Sequence, residues 1–175
     1  MEIIFREMPH TYDEVVMGHK LWFPESIESD VISATANIDG FTPLTAISRR
    51  YGWSNDLLAA ASAQCNSRNE IAAIKELSPT LLLVPSTKGR GNTDFLIKDL
   101  IKAANAVTAD VLNFTHFGFI QNRLPNTEIQ SILDVLLDEK LKSSIRVIIW
   151  GIDFRFKKEM KQMWKLKTSG VALTY

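Results

Sequence analysis

Three short stretches of the chain gather residue types that bind or move charge. Residues 37–43 read Asn-Ile-Asp-Gly-Phe-Thr-Pro, residues 85–92 read Pro-Ser-Thr-Lys-Gly-Arg-Gly-Asn, and residues 114–120 read Phe-Thr-His-Phe-Gly-Phe-Ile. In the first, the Asn37 amide is a possible ligand group at a strand end, and the Asp39 carboxylate suits a ribose hydroxyl or the orientation of a water. In the second, Lys88 and Arg90 alternate with Gly89 and Gly91, so two cations and two close-approach positions adjoin the Ser86 hydroxyl, as phosphate requires. This is not the Gly-x-x-x-x-Gly-Lys-Ser/Thr loop of nucleoside triphosphatases. The third carries His116, whose ordinary pKa lies near neutrality, beside Gly118, with Thr115, Phe117, Phe119 and Ile120 around them. Each stretch also has an ordinary reading. Asn37 and Asp39-Gly40 are common turn chemistry, Lys88 and Arg90 make a solvated basic loop, and His116 without a recognisable Ser or Cys nucleophile is a hydrogen-bonded loop histidine.

The elements that must position these stretches are legible from periodicity. Apolar, β-branched runs predict strands over 29–35, 80–84, 110–114 and 146–152, with nearly continuous hydrophobicity that implies burial on both faces. Helical periods cover 44–51, 55–77 with an interruption near 66–69, 93–106, 126–142 and 156–167. Thr42 is placed to cap the first of these helices, and Pro43 suits its first position. Each charged stretch therefore leaves a strand and enters a helix. Backbone N–H groups at such junctions are unpaired, and the helix N-terminus adds partial positive charge. In a parallel sheet, loops at the carboxyl ends of the strands share one rim, so three stretches far apart in sequence can form one site. Residues 3–5 suit an edge strand, 12–23 fit a short helix or a strand, and the peripheral tail 168–175 fits a final strand or a loose end. Strand alternating with helix predicts a three-layer α/β/α fold with a mostly parallel, mixed central sheet, and residues 1–175 read as one domain.

Composition narrows the function classes. Twenty basic and twenty acidic side chains give a net charge of zero, so no global field recruits nucleic acid, and the lysines of 157–167 read as a solvated helix face. Any anion site is local. Cys65, the single cysteine, has no disulfide partner and reads as a small buried residue; His10 and His19 stand nine positions apart without further ligands, so no metal is assigned. No apolar run reaches the ~20 residues of a membrane span, and acidic residues sit where a signal peptide is basic, which predicts a soluble, cytoplasmic protein.

The order of the loops resembles the macro domain, the ADP-ribose-binding fold. Residues 30–37, Asp-Val-Ile-Ser-Ala-Thr-Ala-Asn, are similar to that family's strand ending in Asn-Ala-Ala-Asn, and a glycine-containing loop and a helix ending near Gly52 follow. Residues 110–125 resemble its second strand and phosphate loop, and the likeness spans roughly 28–154. The resemblance implies that Asn37 contacts a distal ribose, that Gly118 belongs to a phosphate loop, and that Thr35, Ser86, Lys88, Gly89, Arg90, Gly91, Thr115, Phe117, Phe119 and Ile120 line a nucleotide site. Departures are specific: Ala34 replaces the first asparagine, the glycine run shrinks to Gly40, and Ile120 falls where the stacking aromatic belongs. Asp30 lies near the strand that carries the family's adenine-reading acid. The expected ligand is ADP-ribose or a related nucleotide diphosphate metabolite, with no resident cofactor. An enzymatic form would use Asn37, Asp39 and His116 to hydrolyse an ADP-ribosyl group. The alternative is an interaction module that keeps the fold without the chemistry, with apolar surface at Trp22, Trp53 or Trp164 and oligomerisation open.

Overall fold

Alternating side chains on a buried strand must satisfy two packed layers at once, and the sequence supplies apolar groups for both. A computed structural model describes residues 2–7, 31–40, 42–86, 93–107, 109–114, 126–140, 142–151 and 154–169. Within them lie the strands β1 (Glu2–Glu7), β2 (Val31–Thr35), β3 (Ala72–Ile74), β4 (Thr80–Val84), β5 (Val111–Phe114) and β6 (Arg146–Gly151). The helices are α1 (Pro43–Tyr51), α2 (Asn55–Arg68), α3 (Thr93–Ala106), α4 (Asn126–Lys140) and α5 (Phe154–Thr168).

The sheet runs in the order β1-β6-β5-β2-β4-β3. Every pairing is parallel except that of β3 with β4. β1 forms one edge, in register from Glu2 opposite Arg146 to Glu7 opposite Gly151, and Arg146 Nε donates to Glu2 Oε2 across that edge at 2.9 Å. One face presents Val31, Leu82, Val84, Leu112, Phe114, Val147 and Ile149 to α3, α4 and α5, through Ile97, Leu100, Ile132, Leu136 and Met160 among others. The opposite face presents Ile32, Ala34, Leu81, Leu83, Ile148 and Trp150 to α1 and α2, through Leu44, Ile47, Leu58 and Cys65. The result is the three-layer α/β/α arrangement expected from the alternation, with the mixed sheet in the middle.

Element ends follow local chemistry. Thr42 caps α1 with a reciprocal capping box, and Pro43 occupies the first turn. Gly52 ends the same helix at φ 68°, where a β-carbon is penalised. The expected helix over 55–77 is shorter than its pattern suggested. α2 stops at Arg68, Asn69 takes a left-handed φ of 54°, and residues 72–74 instead add the antiparallel edge strand β3 to β4. The sheet's need for an edge partner outweighs helical propensity in the Ala-rich segment. The expected segments 12–23 and 170–175 lie outside the described residues.

One polar device crosses the core. Asn113, fully buried in β5, accepts from Trp150 Nε1 through its Oδ1 at 2.6 Å, and its backbone oxygen accepts from Ser33 Oγ at 3.1 Å. Three adjacent strands, β6, β5 and β2, are thereby tied together, since Asn113 stands opposite both Ile32 and Ile148. Buried polar groups are costly unless bonded, so these contacts fix register as well as stability.

Candidate functional site at the carboxyl rim

β2 ends at Thr35 and the chain turns sharply. Ala36 N still donates to Val84 O at 2.7 Å, so the ladder to β4 continues one step past the strand. Asn37 then makes an Asx turn, its Oδ1 accepting from Asp39 N at 3.0 Å, and Gly40 follows at φ 77°. Asn37 therefore acts as a turn former whose carbonyl oxygen is already engaged. Thr42 Oγ1 donates to Asn37 O at 2.7 Å and so anchors the turn to the start of α1. At that helix end, Thr45 N donates to Thr42 Oγ1 at 3.2 Å, and Thr42 N donates to Thr45 Oγ1 at 2.8 Å. Two N–H groups expected to face an anion are thus satisfied within the cap.

A residue that no sequence pattern singled out joins the two rim loops. Asn66, in the last turn of α2, donates from Nδ2 to Ala36 O at 2.9 Å, while its Oδ1 accepts from Ser86 N at 2.9 Å and from Ser86 Oγ at 3.2 Å. Ser86 lies two residues past β4, so one side chain clamps the ends of β2 and β4 together. In the sequence, Asn66 reads only as a polar interruption of a helical period. Its role exists because α2 ends against the strand termini, a tertiary fact with no local signature.

The clamp residues help line a cleft of about 560 Å³, within the range of small-ligand sites. The loop residues Asn37, Ile38 and Asp39 form one wall. Ala59, Ser62 and Ala63 of α2 form the other, and Asn66 and Ser86 also line the cleft. Asp39 is the one charged side chain among the described lining residues. Asn37, Asp39 and Ser86 of the expected site line this cleft, while Thr35 ends β2 just before it and is not part of the lining. Lys88, Gly89, Arg90, Gly91, Thr115, His116, Phe117, Gly118, Phe119 and Ile120 lie outside the described residues. No cluster of His, Cys, Asp and Glu with metal-holding geometry occurs among the described residues, and no described helix is long and apolar enough to cross a membrane. Trp53 stacks on Tyr51 at 5.2 Å, and Trp164 lies under the Lys140 ammonium at 5.8 Å, both half-buried. Trp22 is outside the described residues.

This strand order, with its rim cleft, can be set beside known folds. The Oceanobacillus iheyensis macrodomain with ADP superposes with a TM-score of 0.63, covering 84% of this chain and 88% of that one at 12% identity. The fold is that of a macro domain. A point mutant of the same Oceanobacillus iheyensis macrodomain gives a TM-score of 0.65 over 84% of this chain and 89% of its own, also at 12% identity. The macrodomain of Thermus aquaticus DarG gives 0.52 over 85% and 98%, at 13% identity. No family model matches the sequence, and no curated protein matches it. The macro domain likeness therefore lives in topology rather than in side chains.

Proposed function

We propose that this macro-like chain, taken as one cytoplasmic domain over 1–175, binds ADP-ribose or a related nucleotide diphosphate metabolite along the carboxyl rim of its sheet. The observation that carries this reading is the cleft between α2 and the loops after β2 and β4, which lies where open α/β sheets take ligands and has the volume for a nucleoside-sized group. The fold it shares with the Oceanobacillus iheyensis macrodomain with ADP supports the ligand class. In this reading Lys88 and Arg90, with the backbone around Gly118, supply the phosphate contacts that the described cleft lacks. Thr115, Phe117, Phe119 and Ile120 would then border the base or ribose.

Titration calorimetry with ADP-ribose, ADP, AMP and NAD tests the reading directly. Heat and a thermal shift with ADP-ribose or ADP are expected; no response to any of the four rejects it. Hydrolysis of an ADP-ribosyl group is the enzymatic extension, with Asn37 and Asp39 at the ribose and His116 moving protons. It requires turnover that collapses in Asn37→Ala and Asp39→Ala while ligand still binds. Asn37 Oδ1 accepts from Asp39 N and keeps a second lone pair and its amide N–H groups for a ligand, so the turn restrains this side chain without removing it from a site.

A further inference from the structure

Helix α5 concentrates positive charge in a protein whose total charge is zero: residues 157–167 hold five lysines and one acid. Its inner side is spent on packing. Met160 is buried, Met163 and Trp164 pack on the core, and Lys167 reaches Asp134 of α4 at 2.6 Å. Lys158, Lys161 and Lys165 are all exposed, and none of the three has a carboxylate partner among the described residues. Steps of three and four residues set them on one stripe about 10 Å long. A helix face that is merely solvated is commonly laced with acids at such steps. This one is not. Glu159 has Gln162 and Met163 three and four residues on, so it braces no lysine of the stripe. Three carboxylates of the neighbouring α4 are also taken, Asp134 by Lys167, and Asp138 and Glu139 by Lys142. The Lys140 ammonium over Trp164 adds a further cation beside the stripe.

We propose that this stripe of α5 binds the phosphodiester backbone of nucleic acid without regard to base sequence, on the opposite face of the sheet from the α2 cleft. Over about 10 Å of axis one strand of a duplex presents about three phosphates, one for each lysine. Lysine is a point charge on a flexible stem, so such a contact grips a backbone rather than a base edge. The zero net charge of the chain is no obstacle. At physiological salt, charges more than about 8 Å away are largely screened, and the local sign decides. An anionic membrane suits the face less well, because a surface-bound helix inserts an apolar side. That side of α5 is committed to the core, and Leu166 is the one large apolar side chain that the helix exposes among the described residues. A row of backbone phosphates has two sources, a duplex or a single strand.

Fluorescence anisotropy with short labelled single strands of RNA and DNA, and with their duplexes, is the test, each titrated over a series of salt concentrations. The wild type should bind with a Kd of about 1–100 μM at physiological salt. Log affinity should fall against log salt with a slope of about −3 on a duplex or about −2 on a single strand. Lys158→Gln, Lys161→Gln and Lys165→Gln should each weaken all sequences alike and reduce the slope by about 1. The triple variant should lose at least about tenfold in affinity while it melts like the wild type. Its single members keep the test in force should it fail to fold. Lys75→Gln, at an exposed lysine just after β3, should bind like the wild type. A preference for duplex or single strand that the triple variant abolishes names the source of the phosphates. Silence of the wild type toward all four probes overturns the proposal, as does binding that the α5 variants leave intact or that Lys75→Gln weakens equally. Binding to phosphatidylserine vesicles in place of nucleic acid overturns it in favour of a membrane.

Discussion

Replacing Asn66 by alanine should uncouple the two rim loops, and the structure sets the size of the effect. Three hydrogen bonds vanish: Nδ2 to Ala36 O at 2.9 Å, and those from Ser86 N at 2.9 Å and Ser86 Oγ at 3.2 Å. They are not equivalent. Ala36 is only 2% exposed, so its carbonyl loses a partner that water replaces poorly, a cost of about 1–3 kcal/mol. Ser86 is exposed, and each of its bonds is worth no more than about 0.5–1 kcal/mol once water substitutes. Alanine returns about 0.5 kcal/mol of helix propensity. The balance is a loss of about 2–3 kcal/mol, read from the urea midpoint at unchanged slope. Asn66→Asp separates the two arms, because it keeps the oxygen that accepts from Ser86 but turns an acceptor toward the Ala36 carbonyl. Hydrogen exchange at the Ser86 amide should therefore accelerate in Asn66→Ala and stay slow in Asn66→Asp, although both proteins lose stability. A loss below about 0.5 kcal/mol in the alanine variant, with the Ser86 amide still protected, would refute the clamp.

Other perturbations probe separate links. Trp150→Phe removes the bond to Asn113 Oδ1 and part of a buried ring, and should cost about 2–4 kcal/mol, measured by denaturant unfolding. Thr42→Ala removes the capping box of α1 and the anchor to Asn37, for an expected loss of about 1–2 kcal/mol and faster amide exchange at Thr45. Burial holds the Tyr51 phenol above its ordinary pKa of 10.0, against a smaller opposing effect of Arg50. The unfolded chain then releases that proton first, so stability should fall as pH rises past 10.0, and Tyr51→Phe should fall less steeply over the same range.

The sheet was the most legible part of this chain because both of its faces are buried. A strand such as Thr80–Val84 carries four consecutive buried apolar side chains from Leu81 to Val84, and that run stands out without any partner in view. The cap at Thr42-Pro43 was legible for the same reason, since its chemistry is complete within four residues. β3 was not. Ile71, Ala72, Ala73 and Ile74 suit a helix as well as a strand, and only the unpaired edge of β4 decides between them. Thr35, Asn37, Asp39 and Ser86 could be nominated because they end or follow strands, whereas Asn66 and Ser62 lie inside a run read only as a helical period with an interruption near 66–69. Their meaning depends on which strand ends α2 passes, and that distance is written in no local window.

The pairing of β1 with β6 bears on how the molecule is made. Glu2 meets Arg146 across a separation of more than a hundred residues, so the edge that β1 completes has no template until β6 exists. During synthesis the first strand must wait, its apolar Ile3, Ile4 and Phe5 unprotected, while the central β5-β2-β4 unit gathers ahead of it. Long-range parallel pairing of this kind slows folding and lengthens the exposure of sticky segments. A ribosome-stalled chain ending before residue 146 would hold residues 2–7 open to chaperones or proteases. One that extends past α5 would pair them.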